Sequence, residues 1–205
     1  MKIENDLKLP EDMKKCVTFH GHLCPGLTYG YIVAKAAVSL LKLDNRSEDE
    51  EVVAICENDS CAVDAFQSIL GTTAGKGNLI INNYGKNVYT VIKRNTQTAY
   101  RFSRKTSYTY SGENKEEFAK LDSAISSKKA SETERNRHRH LKTMDLLSKP
   151  FDEVFESAKV EFKMPAYAPL ARSESCACCN EMTMKTLMKT DGQNRLVCIP
   201  CHEKE

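Results

Sequence analysis

Four cysteines near the end of the chain constrain its fold more than any other residues. Cys176, Cys179, Cys198 and Cys201 form two C-x2-C pairs separated by eighteen residues. Each pair places two thiols close enough to share one ion, and the spacer is long enough for a hairpin that returns the second pair to the first. Four thiolates around a tetrahedral ion close its coordination shell, so the site is structural, and zinc is the metal it suits. Between the pairs, residues 184–189 and 195–197 flank Thr190-Asp191-Gly192-Gln193-Asn194, and Asp-Gly between two short extended runs is a hairpin signal. If Cys198 and Cys201 open a helical turn, the unit is treble-clef-like. If they sit on a second knuckle, it is a zinc ribbon. Cys178 and His202 are the alternative ligands. About thirty residues bury too little surface to fold alone, so the metal supplies the stability.

A closed site does no chemistry, which must lie upstream. The 205 residues suffice for one substantial domain plus a small one. No apolar run approaches the ~18 residues needed to span a bilayer. Residues 1–15 lack the apolar segment of a signal peptide, so the expected location is the cytoplasm. There, nine cysteines serve metal binding or reactivity in preference to disulfides. A net charge of +2 gives no strong push toward nucleic acid or membrane.

Residues 1–15 read as a polar helix or arm. Leu27, Tyr31, Ala34, Val38 and Leu41 recur at spacings of three and four, which predicts a helix over 26–43 with Pro25 in its first turn. Residues 52–56 are a β-branched apolar run, a buried strand. Asn58, Asp59 and Ser60 offer capping oxygens to a helix over 61–70. After a Gly/Thr loop, residues 79–81, 87–93 and 98–103 read as a three-stranded meander, so the sheet is at least partly antiparallel. The charged stretch 113–147 holds one or two helices, Pro150 ends it, and 159–163 is a further strand. Pro165 and Pro169 stiffen a linker. The expected division is a core over 1–170 and a finger over 171–205.

His20, His22 and Cys24 occupy alternate positions before Pro25-Gly26. On an extended chain, side chains two apart share a face, so two imidazoles and a thiol would point together. All three are metal ligands when deprotonated. Cys24 also stands where one helix begins, and Cys61 where the next begins. Free backbone N–H groups and the helix dipole favour thiolate at such positions. His20, His22, Cys24 and Cys61 are therefore candidates for a second metal site, with His22, Cys24 and Cys61 the candidate catalytic groups. Asp64 is read first as a cap, with orientation of a histidine or a base role as alternatives. Cys16 and Cys56 are read as small buried hydrophobes. Residues 71–78 fail the phosphate-loop pattern, which needs glycine where Leu70 stands and Ser or Thr where Gly77 stands. His20, Asp64 and Lys76 remain candidate contacts to a bound cofactor. The run 135–140 adjoins Glu132 and Glu134 and reads as a solvated helix face.

Three blocks, Phe19-His20-Gly21-His22-Leu23-Cys24-Pro25-Gly26, Cys61-Ala62-Val63-Asp64-Ala65-Phe66-Gln67 and Gly75-Lys76-Gly77-Asn78-Leu79, follow in that order. They resemble the formylmethanofuran dehydrogenase E-subunit family over roughly residues 12–110, and the finger matches its longer members. The resemblance implies an α+β core with a mainly antiparallel sheet and flanking helices, commonly a homodimer, with an appended treble-clef-like zinc finger. It also implies a cavity in which His20, His22, Cys24 and Cys61 hold zinc or another transition metal. The function it implies is a metal-binding accessory subunit beside other dehydrogenase subunits, or a small metal-dependent redox or one-carbon enzyme related to methanogenesis. The family takes its name from association with a molybdenum enzyme that forms formylmethanofuran from carbon dioxide. Thr72 stands where many relatives carry Cys, and Ala62 where they carry Gly. The iron–sulfur run C-x2-C-x2-C-x3-C is absent. The alternative function is a binding module, with Lys185, Lys189 and Arg195 of the finger meeting a partner protein or nucleic acid. Residues 173–205 contain no Phe, Tyr or Trp on which a single-strand base could stack, so nucleic acid is not expected.

Overall fold

The structure is a computed structural model that describes residues 9–204. The reading of residues 1–15 as a helix or arm falls partly outside the described residues. The chain divides into two compact units, one ending at Pro165 and the other beginning at Ala166.

The first unit is built on five strands: β1 (Val52–Cys56), β2 (Leu79–Ile81), β3 (Val88–Lys93), β4 (Thr98–Arg104) and β5 (Phe155–Lys159). Their order in the sheet is β2-β1-β3-β4-β5. Only β1 and β2 run parallel, because the chain between them crosses over through a helix. The other three pairings are antiparallel, so the mainly antiparallel α+β expectation holds. The helices are α1 (Glu11–His20), α2 (Pro25–Leu40), α3 (Ala62–Leu70), α4 (Lys115–Ser126), α5 (Glu132–Ser148) and the single turn α6 (Phe151–Val154). Val33, Ala34 and Ala37 of α2 and Phe66 of α3 pack with Ala54, Tyr89, Val91, Phe102 and Phe155 of the sheet. Each large side chain buried in this way contributes about 1.5–3 kcal/mol.

The spacing of α2 and α3 is set by a glycine. A Cβ built on Gly30 would lie 2.2 Å from the carbonyl oxygen of Ala62, so the two helices meet at backbone distance.

The charged stretch resolves into two helices. Ser131 and Glu134 form a reciprocal capping box that starts α5 afresh. The last strand lies earlier than the expected 159–163. Phe155, fully buried, anchors it, and residues 155–159 pair with β4. Val160, Phe162 and Met164 instead cross another apolar cluster, packing on Val53, Ile92 and Ala99.

The second unit has two hairpins, β6 (Ser173–Ser175) with β7 (Met182–Met184) and β8 (Lys189–Thr190) with β9 (Leu196–Val197), followed by the turn of helix α7 (Ile199–His202). Asp191 fixes the second hairpin by accepting from the N–H groups of Gln193 (3.0 Å) and Arg195 (2.8 Å) and from Arg195 Nε (2.8 Å). Among the described residues, no helix is long and apolar enough to cross a membrane.

Candidate metal centres

The His/Cys segment is not the extended run expected from its alternation. α1 continues to His20, and Gly21 ends it in the left-handed region at φ +93°, its N–H donating to Val17 O at 2.8 Å. The chain then reverses, and Cys24 becomes the N-cap of α2. Leu27 N–H donates to Cys24 Sγ at 3.4 Å. A tight helix–helix reversal therefore brings the three side chains together. One ligand atom each from His20, His22 and Cys24 lies within 4.8 Å of the others. Cys24 Sγ is 3.7 Å from His20 Nε2, and the two imidazole centres are 4.5 Å apart.

Asp64 orients a histidine and does not cap α3. Its Oδ2 is 2.6 Å from His20 Nδ1, and Gln67 Nε2 donates to its Oδ1 at 3.0 Å. A proton held on Nδ1 by this carboxylate leaves the Nε2 lone pair facing Cys24, the usual second contact of a metal-binding histidine. The turn before α3 is fixed by Asn58, whose Oδ1 accepts from Ser60 N (3.1 Å) and Oγ (2.7 Å).

Cys61, at the N-cap of α3, stands beside Cys24 without joining the tight three-residue group. Gly26 makes the room: a Cβ there would lie 3.1 Å from Cys61 Cβ and 3.6 Å from its sulfur. Burial raises the Cys24 thiol above its ordinary pKa, and the Cys61 thiol adds to the rise against the lowering by Leu27 N–H. Burial lowers the pKa of His22, with the charges of His20 and Arg139 adding to it. Arg139 belongs to the run read as a solvated face. Its influence on His22 arises from the placement of α5, which no local pattern reveals.

The remaining candidates lie elsewhere. Lys76 Nζ donates to the carbonyls of Ser47 (3.0 Å) and Glu48 (3.3 Å), tying its loop to the segment before β1. Thr72 lies past the C-terminal end of α3, whereas Cys61 and Asp64 lie at the start. Nine helical residues rise about 13 Å, so a thiol at position 72 would not reach this cluster within one chain. The Thr72 hydroxyl is buried without a hydrogen-bond partner. Cys16 and Cys56 are fully buried, and burial pushes the Cys56 thiol up to about 12.

In the second unit, the sulfurs of Cys176, Cys179, Cys198 and Cys201 lie within 4.8 Å of one another. Cys179 Sγ and Cys198 Sγ are 3.8 Å apart. Metal–sulfur bonds of ~2.3 Å in a tetrahedron give edges of about 3.8 Å, so the donor set fits a tetrahedral ion. Cys198 N–H donates to Cys176 Sγ at 3.2 Å. Backbone N–H groups, that of Cys179 first, pull the Cys176 thiol down to about 6, while the Cys198 sulfur pushes Cys201 up. Cys198 caps α7 and Cys201 lies inside it, which is the treble-clef-like alternative and not the ribbon. Cys178 and His202 lie outside the four-sulfur group.

A helix-flanked, mainly antiparallel sheet with a His/Cys cluster between its first helices, and a separate four-cysteine finger, define an α+β protein with two side-chain groups that can hold metal ions. Residues 19–156 match the family model described as FmdE, Molybdenum formylmethanofuran dehydrogenase operon. The chain belongs to the FmdE family. It is 27% identical over 200 residues to a probable S-adenosyl-L-methionine-binding protein of Archaeoglobus fulgidus, a match covering 95% of this chain and 53% of that protein. The chain thus spans about half the length of that relative. The crystal structure of an FmdE-like protein of the tungsten formylmethanofuran dehydrogenase type, from Syntrophus aciditrophicus, has a similar fold, with a TM-score of 0.58 at 21% identity, covering 95% of this chain and 92% of that one.

Proposed function

We propose that the chain is a metal-dependent protein of redox or one-carbon metabolism, acting as an accessory dehydrogenase subunit or as a small enzyme in its own right. The observation that carries this reading is the 2.6 Å contact of Asp64 with His20 Nδ1, which turns Nε2 toward the Cys24 sulfur. His20, His22 and Cys24 would hold the metal, and a set of three protein ligands is that of metal sites that do chemistry. A transition metal held there would supply a Lewis acid for polarising a carbonyl or activating water. Asp64 keeps the proton on the outer nitrogen of His20. His22, disfavoured as a cation by burial, offers a neutral nitrogen. Cys61, beside Cys24, would serve as a fourth ligand or as a thiol facing substrate. The finger holds zinc in this reading, and the protein works as a cytoplasmic homodimer that contacts other dehydrogenase subunits and no nucleic acid.

The full chain should then carry two metal ions, measured by elemental analysis. His22→Ala and Cys24→Ser should each carry one, and wild-type metal content in both would remove the core site. Asp64→Asn should bind the core metal about 10–100-fold more weakly, because the outer contact of a ligating histidine sets its orientation and basicity. Core uptake should also rise with pH. The Cys24 thiol, raised above its ordinary value, is protonated at neutral pH, so binding must expel its proton. His22, lowered, is already neutral and releases none. One released proton makes binding about tenfold tighter per pH unit between pH 7 and 8, read by chelator competition. A flat profile would mean that Cys24 is not a ligand.

A second reading, S-adenosyl-L-methionine binding, rests on the name of the Archaeoglobus fulgidus relative. Calorimetric titration with that compound decides it. Saturable binding supports it, and no heat at millimolar concentration removes it.

A further inference from the structure

Two thiols meet where α2 and α3 begin. Cys24 is the N-cap of α2, and Cys61 is the N-cap of α3. A Cβ built on Gly26 would lie 3.6 Å from the Cys61 sulfur and 3.9 Å from the Cys24 sulfur. Both sulfurs therefore border the one space that this glycine leaves without a side chain. Cys61 also packs against the apolar cluster that contains Cys24. Burial leads the rise in the Cys24 pKa, and Cys61 adds to it through its charge and through a side-chain hydrogen bond, which two sulfurs make only in near contact.

The two thiols differ in access. Cys24 is buried, and its sulfur accepts from Leu27 N–H. Cys61 is half-buried, and its side chain makes no capping hydrogen bond. The other two cysteines of the first unit, Cys16 and Cys56, are fully buried. The backbone beneath the pair is fixed, because α2 and α3 meet at backbone distance at Gly30. Cys24 also belongs to the group of three that can hold a metal, whereas Cys61 does not. A sulfur shared between these two thiols is therefore one that the metal group has lost.

We propose that Cys24 and Cys61 form a reversible dithiol–disulfide pair, and that a peroxide oxidant closes the core metal site by joining them. The closing of the site rests on the metal reading given above; the pairing of the thiols does not. The more accessible Cys61 reacts first. Its thiolate attacks one peroxide oxygen, the O–O bond breaks, and the departing oxygen leaves as water, which makes Cys61 a sulfenic acid. The Cys24 sulfur then attacks the Cys61 sulfur across the space over Gly26. The S–S bond forms, and the sulfenic hydroxyl leaves as a second water with the Cys24 proton. Two thiols have lost two electrons and two protons, and the peroxide has become two waters. A disulfide sulfur has no thiolate to give a metal, so only His20 and His22 remain as ligands. A small dithiol reverses the change by exchange.

The test treats the reduced, zinc-loaded full chain with a stoichiometric amount of hydrogen peroxide. Free thiols are then alkylated, disulfides are mapped by peptide mass spectrometry, and retained zinc is measured by elemental analysis after gel filtration. The peptides of Cys24 and Cys61 should be found joined, and dithiothreitol should part them and restore zinc uptake. Cys61→Ser should show no such link and should keep its core ion under the same treatment. Oxidation of the finger affects both chains alike, so the wild-type chain should lose one zinc ion more than the variant. If Cys61→Ser already lacks the core ion, the mapped link in the wild-type chain carries the test. A link that forms in a wild-type chain holding no core metal would uphold the thiol pair and overturn the metal reading. Cys24 and Cys61 recovered unlinked, or joined to other cysteines, or joined while the core ion stays bound, would overturn the proposal.

Discussion

Cys198→Ser is expected to strip residues 173–202 of their fold while leaving the first unit intact. The buried cluster of the finger is Cys176, Val197 and Cys198, with Cys201 packed against it. Three of those four side chains are thiols meant for a metal. The strands of the finger are two or three residues long, and isolated hairpins of that size are marginal in water. Structural zinc binding is worth about 10–16 kcal/mol in small fingers near neutral pH, and without it the ordering of some thirty residues has no comparable term to offset it. The first unit has its own helix–sheet core, so the loss should not spread into it. Amide NMR reads both halves at once: residues 173–202 should collapse to random-coil positions while β1, β3 and β4 keep theirs. Chelation of the wild-type chain should do the same to the finger. Retained dispersion in the finger of a metal-free sample would show that its apolar contacts suffice.

Gly30→Ala should damage both stability and the core site. The added methyl group would overlap the carbonyl oxygen and Cα of Ala62, at 2.2 and 2.7 Å, and neither can yield without shifting α3. Overpacking of this kind costs about 1–3 kcal/mol, and a backbone-to-backbone clash lies at the upper end. α3 carries Asp64 and is capped by Cys61, so any shift also moves the group that orients His20. The expected result is a lower denaturant midpoint at unchanged slope, together with lost core metal. Gly26→Ala separates the two effects. Its Cβ would meet the Cys61 side chain at 3.1 Å, and it should weaken metal binding with a smaller loss of stability. Ala62→Gly should not rescue Gly30→Ala, since the atoms struck belong to the backbone of residue 62 and not to its side chain. Wild-type metal content and midpoint in Gly30→Ala would mean that the helices can part at no cost.

How much was legible in the sequence depends on how local each signal was. β1, β3 and β4 were readable because β-branched runs lie between turn residues, and the four-cysteine finger because its spacing alone dictates the geometry. The His/Cys cluster was readable as a set of ligands but not as a shape. Its alternation suggested an extended chain, whereas Gly21 in the left-handed region closes α1 and reverses the path. Asp64 looked like a cap because it sits in the first turn of α3, and its partner His20 lies 44 residues earlier. A contact over that separation is made by packing α1 against α3. The misplaced fifth strand has the same origin. Residues 155–159 and 160–164 are both plausible extended segments, and Phe155 decides between them only because the core has a space for it.

That space bears on the order in which the protein can be completed as it is made. Phe155 fills the region between Tyr29 and Tyr89, with ring centres 6.0 and 6.4 Å away, and its strand pairs with β4 across the intervening helices α4, α5 and α6. A ribosome that has released the first four strands has produced a core with its last ring missing. Closing so long a loop adds only slowly to the entropic cost, but it delays the final contact until residues beyond 155 have emerged. Until then Tyr29 and Tyr89 face a gap, and the nascent chain lacks the ring that completes its interior.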